Sequence, residues 1–209
     1  RSALECESQT CAGESRRAVG CHVSDAHASH GREIERVWVL REMPVIPHNA
    51  EIWEIEQGYL AATDAHEHAR PDDGDSPAPL TGRLRRVEDS SGTSRYFHTV
   101  KTGSRLVRIE HERELSRAEF DAAWPRTEGS RLTKTRSRVR CSGEGGETLV
   151  WEIDRFHALP LVMAEVELTS ETQRAPFPSW LAPLIVNEVT LDARYRNSSL
   201  VFKGMPREA

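Results

Sequence analysis

The sequence predicts a mainly β protein of the α+β class: an eight-stranded antiparallel barrel, closed around a charged interior and flanked by a few helices. Three observations predict it. About eight segments of strand character follow one another after residue 31, joined mostly by short turns, with few helical signals between them. The strands carry charged residues at i and i+2, of one sign within each doublet. Side chains at i and i+2 on a strand share a face, so each doublet projects two like charges one way, while Ile34, Leu84, Ile109, Ile153 and Val166 fall on the alternate face.

Residues 1–31 are poor in large apolar side chains and rich in Ser, Ala, Gly and charge, and read as a disordered leader. Cys21, His22, His27 and His30 lie there with a spacing that fits no standard zinc finger. The second unit, residues 32–205, starts with REIERVWVL. Ile34, Trp38 and Leu40 share one face of that strand; Glu33, Glu35, Val37 and Val39 share the other. EIWEIEQGYL (51–60) is the second strand. Residues 63–79 form an acidic loop with Pro and Gly, in which His66 and His68 flank Glu67, and a solvated loop is the simplest reading. TGRLRRVED and SRYFHTVKTG make a hairpin around Ser90-Ser91-Gly92. RLVRIEHEREL is a fifth strand. SRAEFDAAWP is a short helix, with Ser116 as N-cap, Glu119 completing a capping box and Pro125 as the stop. RLTKTRSRVR, ETLVWEIDRF and LPLVMAEVELTS are three more strands, the first two joined by the turn Ser142–Gly146. The stretch with Pro176, Pro178 and Pro183 is irregular, and DARYRNSSLVF reads as a closing helix.

Composition narrows the function classes. The chain has 209 residues, 37% apolar and 29% charged, with a net charge of −5, which argues against a bulk nucleic-acid or membrane binder. No apolar run is long enough for a bilayer; WLAPLIV is short and contains Pro183. The chain opens with Arg1, so a targeting signal is not judged from it. Of its four cysteines, Cys6, Cys11 and Cys21 fall in the leader and Cys141 in the body. That is no disulfide framework, and a reducing, cytoplasmic setting is expected.

The doublets carry the chemistry. Glu33/Glu35, Glu110/Glu112 (extended by Glu114), Glu152/Asp154 and Glu165/Glu167 are acidic. Arg83/Arg85 and Lys134/Arg136 (extended by Arg138 and Arg140) are basic, and Lys101 adds a further cation. A single doublet is compatible with a solvated sheet face. Whole strands of one sign are not, because like charges across a sheet repel. Divalent cations would neutralise clustered carboxylates, and phosphate oxygens would neutralise clustered Arg and Lys. A chamber lined by both would bind a metal–polyphosphate complex. In a closed barrel the charged face would line the lumen. The apolar face (Ile34, Leu84, Ile109, Ile153, Val166) would then pack under residues 116–124, the Pro-rich stretch and the C-terminal helix.

These residues resemble the CYTH superfamily, the triphosphate tunnel metalloenzymes, over roughly residues 32–203. Glu33 and Glu35 match the glutamates of its E-x-E-x-K strand, and Val37 stands where the lysine is expected. GRLRR looks like the R-x-R strand (Arg83, Arg85), FHTVKTG like the strand bearing the phosphate-binding lysine (Lys101), and IEHERE like an E-x-E strand (Glu110, Glu112). RLTKTR is similar to the K-x-R strand (Lys134, Arg136) and WEIDRF to the strand whose aspartate maps to Asp154. LVMAEVEL is similar to the late E-x-E strand (Glu165, Glu167). EVTLDARYRN looks like the C-terminal motif of short bacterial members, with Arg194 the matching arginine.

The resemblance implies an eight-stranded tunnel and metal-dependent hydrolysis of a triphosphate's terminal phosphoanhydride. Glu33, Glu35, Glu110, Glu112, Asp154, Glu165 and Glu167 are the implied ligands for Mg²⁺ or Mn²⁺. Arg83, Arg85, Lys101, Lys134, Arg136 and Arg194 are the implied phosphate contacts, and Glu33, Glu35, Lys134 and Arg136 carry the catalysis. Arg36 lies on the opposite strand face from Val37, so Arg138 and Arg140 are the candidates to replace the missing lysine. The expected partner is a small triphosphate, first of all inorganic tripolyphosphate, with no nucleic acid and no membrane, for a monomer or homodimer. Thiamine triphosphate or another organic triphosphate stays open, as does a non-catalytic polyphosphate-binding module.

Overall fold

The computed structural model describes residues 29–60, 81–102, 107–143 and 145–206, with the backbone path alone for 29–33, 101–102 and 107–110. Cys21, His22 and His27, most of the leader and the loop carrying His66, Glu67 and His68 lie outside the described residues, as do the side chains of His30, Glu33, Lys101, Ile109 and Glu110.

Strand-forming residues with period-two burial build one antiparallel sheet. Its strands are β1 (Ser29–Leu40), β2 (Glu51–Leu60), β3 (Gly82–Asp89), β4 (Ser94–Thr102), β5 (Val107–Leu115), β6 (Arg131–Ser142), β7 (Thr148–Phe156), β8 (Val162–Leu168) and β9 (Ile185–Glu188). The order of neighbours is β5-β4-β3-β2-β6-β7-β8-β1-β9. β1 meets β8 over Ile34–Leu40 and, in one further pairing, β5 over Ser29–Ile34. Two short helices, α1 (Arg117–Ala123) and α2 (Asn197–Lys203), complete the described regular structure with three 3₁₀ turns.

The mainly antiparallel β expectation holds, with differences in detail. β1 begins at Ser29, inside the segment read as leader, because its backbone pairs with β5 where no apolar pattern is needed. The described strands number nine, not eight. β9 escaped notice because it has four residues and follows a Pro-rich run. The closing helix is broken: residues 193–195 make a 3₁₀ turn with Asp192 Oδ1 accepting from the Arg194 amide, and α2 begins only after the extended Arg196.

The apolar strand faces are covered as expected. Ile34, Trp38, Leu40, Trp151, Ile153, Val166 and Leu168 form one buried cluster with Leu181 from the Pro-rich stretch. Phe177 sits 5.1 Å from Trp38 and 5.5 Å from Trp151, ring to ring, so three aromatics clamp that stretch onto the sheet. Helix α1 covers Leu60, Leu84 and Leu115 with Phe120 and Ala123. Its capping box is formed: Glu119 N–H donates to Ser116 Oγ at 3.2 Å and Ser116 N–H to Glu119 Oε2 at 2.8 Å. Pro125 tightens the chain into a 3₁₀ turn (Trp124–Thr127). That turn packs so close to β2 that a Cβ on Gly58 would lie 2.5 Å from Thr127 Cβ. Fixing the apolar face outward turns the charged doublets of β3, β6 and β8 to the other side of the sheet.

Candidate functional site

The charged faces border a cavity of about 660 Å³. β1 contributes Glu35 and Val37, β2 Gln57 and Tyr59, β3 Arg83 and Arg85, and β4 Thr99. β6 contributes Lys134, Arg136 and Arg138, β7 Glu152, and β8 Met163, Glu165 and Glu167. Two-residue spacing does this work: alternate side chains on each strand face the same way, and the registers set opposite signs beside each other. Arg136 is paired across the ladder with Asp154, Arg138 with Glu152, and Thr99 with Glu112.

The deepest part is an ion network at the β6–β7–β8 junction. Asp154 is fully buried (0% exposed) and Lys134 nearly so (2%). Lys134 Nζ donates to Asp154 Oδ2 at 2.5 Å, and the Arg136 guanidinium grips both Asp154 oxygens at 2.6 Å. Arg136 reaches on to Glu165 at 2.8 Å and to Glu152, which also takes Arg138 Nε at 2.9 Å. Burial alone would lift the Asp154 carboxyl, but Arg136 and Lys134 outweigh it and hold it at about 2. Burial, with Arg136 alongside, lowers Lys134. Burial opposes the charge of Arg136 too, yet Asp154, Glu152 and Glu165 keep it firmly protonated. Glu165 moves the other way: burial raises it, and Asp154 and Glu35 add repulsion that Arg136 and Lys134 do not cancel.

A second group sits on β3, β4 and β5. Glu112 accepts from Arg85 at 3.0 Å and from Thr99 Oγ1 at 2.7 Å, with Arg83 at 3.6 Å. Arg83 also donates to Thr99 Oγ1 at 3.1 Å. Burial, and Arg83 next to it, lower Arg85 to about 10. The Nε–H groups of both arginines are buried without a hydrogen-bond partner. An unmet buried donor costs about 1–3 kcal/mol, which an anion in the cavity would recover.

The sequence-expected set is partly assembled. Arg83, Arg85, Lys134, Arg136, Glu35, Glu165 and Glu167 border the cavity. Asp154 and Glu112, expected as metal ligands, are ion-paired here: Asp154 with Lys134 and Arg136, Glu112 with Arg85. Arg194 does not border the cavity: its side chain is 57% exposed and clasps Asp192 at 2.7–3.1 Å. Arg138 and Arg140, the candidates to replace the missing lysine, are held by Glu51 and, for Arg138, by Glu152. Arg36 points away as expected, onto Glu188 at 2.5–3.0 Å. Val37 sits among Met163, Leu161, Phe156, Val189 and Leu200, an apolar corner of the cavity wall.

Sequence reasoning missed Gln57, Tyr59 and Thr99. Gln57 and Thr99 are 1% exposed. Gln57 Nε2 donates to Tyr59 Oη at 2.9 Å, and burial pushes that phenol up to about 12. The Ile55-Gln57-Tyr59 alternation was the available signal, but neutral side chains do not stand out as charge doublets do.

Among the described residues no three His, Cys, Asp or Glu side chains gather into a metal-holding group. The donor chemistry nonetheless fits a hard divalent cation. Register sets Glu35 opposite Glu167 and Val37 opposite Glu165, giving adjacent carboxylates on neighbouring strands. Burial first, then Asp154 and Glu35, raise Glu165, and a bound cation would favour its charged form. No helix among the described residues is long and apolar enough to cross a membrane.

No protein-family model matches the chain. The inorganic triphosphatase of Nitrosomonas europaea is 37% identical over 154 residues, spanning 70% of this chain and 95% of that protein. A crystal structure of the inorganic triphosphatase NE1496 is 29% identical, covers 82% of this chain and 95% of its own, and has a TM-score of 0.48. The structure of PH1819 from Pyrococcus horikoshii OT3 is 18% identical over 67% of this chain and 80% of its own, with a TM-score of 0.43.

Proposed function

Since the chain belongs to the CYTH superfamily, the family of the inorganic triphosphatase it matches over 154 residues, we propose that it hydrolyses the terminal phosphoanhydride of a triphosphate, with inorganic tripolyphosphate as first substrate. The reaction site is the cavity, and the sheet around it is a closed eight-stranded tunnel to which β9 is an appendage. Supporting closure, β1 hydrogen-bonds to β8 on one side and β5 on the other, so the succession of neighbours returns to its start.

The observation that carries the reading is the pair of unmet Nε–H donors on Arg83 and Arg85. Each guanidinium has its far edge tied to Glu112 or Thr99 and a free edge left over. Phosphate oxygens can meet that edge without breaking the existing pairs. Lys134 and Arg136, fixed by Asp154, add charge at a set position and need little reorganisation as charge shifts to the leaving group. Lys101 belongs to this set by its family position. Glu33, Glu35, Glu165 and Glu167 would hold one or two Mg²⁺ or Mn²⁺ ions, which supply charge neutralisation and water activation when bound. Arg83, Arg85 and Arg136 orient the polyphosphate for in-line attack of water. The partner is this small triphosphate, and the protein acts as a monomer or homodimer.

A thiamine triphosphatase would need an open aromatic face for the organic group. Trp53 is covered by the Arg138 guanidinium at 4.2 Å and Tyr59 is tied to Gln57, which favours the inorganic substrate. Phosphate release from tripolyphosphate, ATP and thiamine triphosphate, with Mg²⁺, Mn²⁺ or EDTA, tests the assignment. Metal-dependent turnover of tripolyphosphate above the other two is expected. Binding without turnover would establish the polyphosphate-binding module instead.

A further inference from the structure

The cations around the cavity are of two kinds. Lys134, Arg136, Arg138, Arg85 and Arg83 each meet a carboxylate at 3.6 Å or less. Arg196 also borders the cavity, but it has no such partner among the described residues, and its Nε–H is buried without a hydrogen bond. Arg194, two residues earlier, does not line the cavity and is held by Asp192 at its rim.

Arg196 arrives on a segment stitched to the strand that departs from the family pattern. Val189 N–H donates to Val37 O at 2.8 Å, and Val37 N–H donates to Thr190 Oγ1 at 3.0 Å. Tyr195 packs on the apolar cluster containing Val37. The C-terminal segment thus builds the cavity wall beside Val37 and carries an unpaired guanidinium into that wall. A guanidinium stays charged at any working pH, and a buried, unmet donor on it is costly until an anion arrives.

We propose that Arg196 contacts a phosphate group of the substrate, supplying from the C-terminal segment the positive charge that Val37 does not supply from β1. This rests on the triphosphatase reading above. A residue that merely held α2 in place would find its partners within the protein; Arg196 Nε does not.

The test combines calorimetric binding of tripolyphosphate in EDTA, steady-state kinetics with Mg²⁺ and thermal melting, on wild type, R196Q, R196K, V37K and V37K/R196Q, with R117Q on the exposed face of α1 as charge control. R196Q should weaken tripolyphosphate binding and lower kcat/KM about ten- to a hundredfold with its melting temperature unchanged, while R117Q matches wild type. R196K should fall between them, and V37K should recover at least part of the loss in the R196Q background. If V37K does not fold, R196Q and R196K still decide the matter. R196Q binding and turning over tripolyphosphate within twofold of an active wild type overturns the role of Arg196 and leaves the triphosphatase reading intact. A wild type that neither binds nor hydrolyses tripolyphosphate overturns both.

Discussion

Replacing Asp154 by Asn tests whether the buried network holds the site together. Asp154 is fully buried and accepts three charge-assisted bonds, one from Lys134 at 2.5 Å and two from Arg136 at 2.6 Å. Asn keeps the shape but removes the charge, leaving two buried cations without their common counterion. Breaking a buried pair from one side costs about 3–5 kcal/mol. With an m value of about 2 kcal/mol/M in urea, the midpoint at neutral pH should fall by about 1.5–2.5 M. The wild-type titration gives an independent figure. The carboxyl is held at about 2 against an ordinary 3.8, by Arg136 and Lys134 acting against burial. That difference corresponds to about 2–3 kcal/mol. The sign follows from a depressed folded value: the stabilisation is complete above the ordinary carboxylate range and is lost as pH falls toward about 2. The gap between wild type and D154N should therefore narrow as pH drops from about 4 toward about 2. The assay is urea unfolding followed by tryptophan fluorescence across that range. A neutral-pH midpoint shift under about 0.5 M would refute the view that this pair is a closed, uncompensated network.

Further outcomes are expected. Glu35→Gln should abolish metal-dependent phosphate release while leaving the circular dichroism spectrum intact; full activity would remove Glu35 from the metal set. Wild type should gain about 2.7 kcal/mol of stability at a Mg²⁺ or Mn²⁺ concentration a hundredfold above Kd, read as a rise in melting temperature that Glu35→Gln lacks. Arg85→Gln should weaken tripolyphosphate binding about ten- to a hundredfold, since it removes one of the two unmet Nε–H donors. Leu84→Ala, on the outer face beneath α1, should cost about 2–5 kcal/mol in chemical denaturation and leave kcat unchanged, because Leu84 packs on Phe120 rather than facing the cavity.

The sequence by itself determined which strand faces carry charge, because alternation on a strand has no freedom: Glu35 and Val37 must point one way if Trp38 and Leu40 point the other. It likewise determined the Ser116–Glu119 cap, the Ser90–Gly92 turn and the cover of the apolar face, all of which rest on local chemistry or on simple amphipathicity. Only the tertiary structure decided how charges pair. Nothing in a line of text shows that Lys134 and Arg136 reach Asp154, or that Arg85 and Thr99 reach Glu112, from other strands. Arg194 and Arg196 sit two residues apart, and an extended residue between a 3₁₀ turn and α2 sets which one borders the cavity. The physical reason is that facing is a property of one strand, whereas burial and partnership belong to several strands brought together, and no single segment encodes the distance to its neighbours.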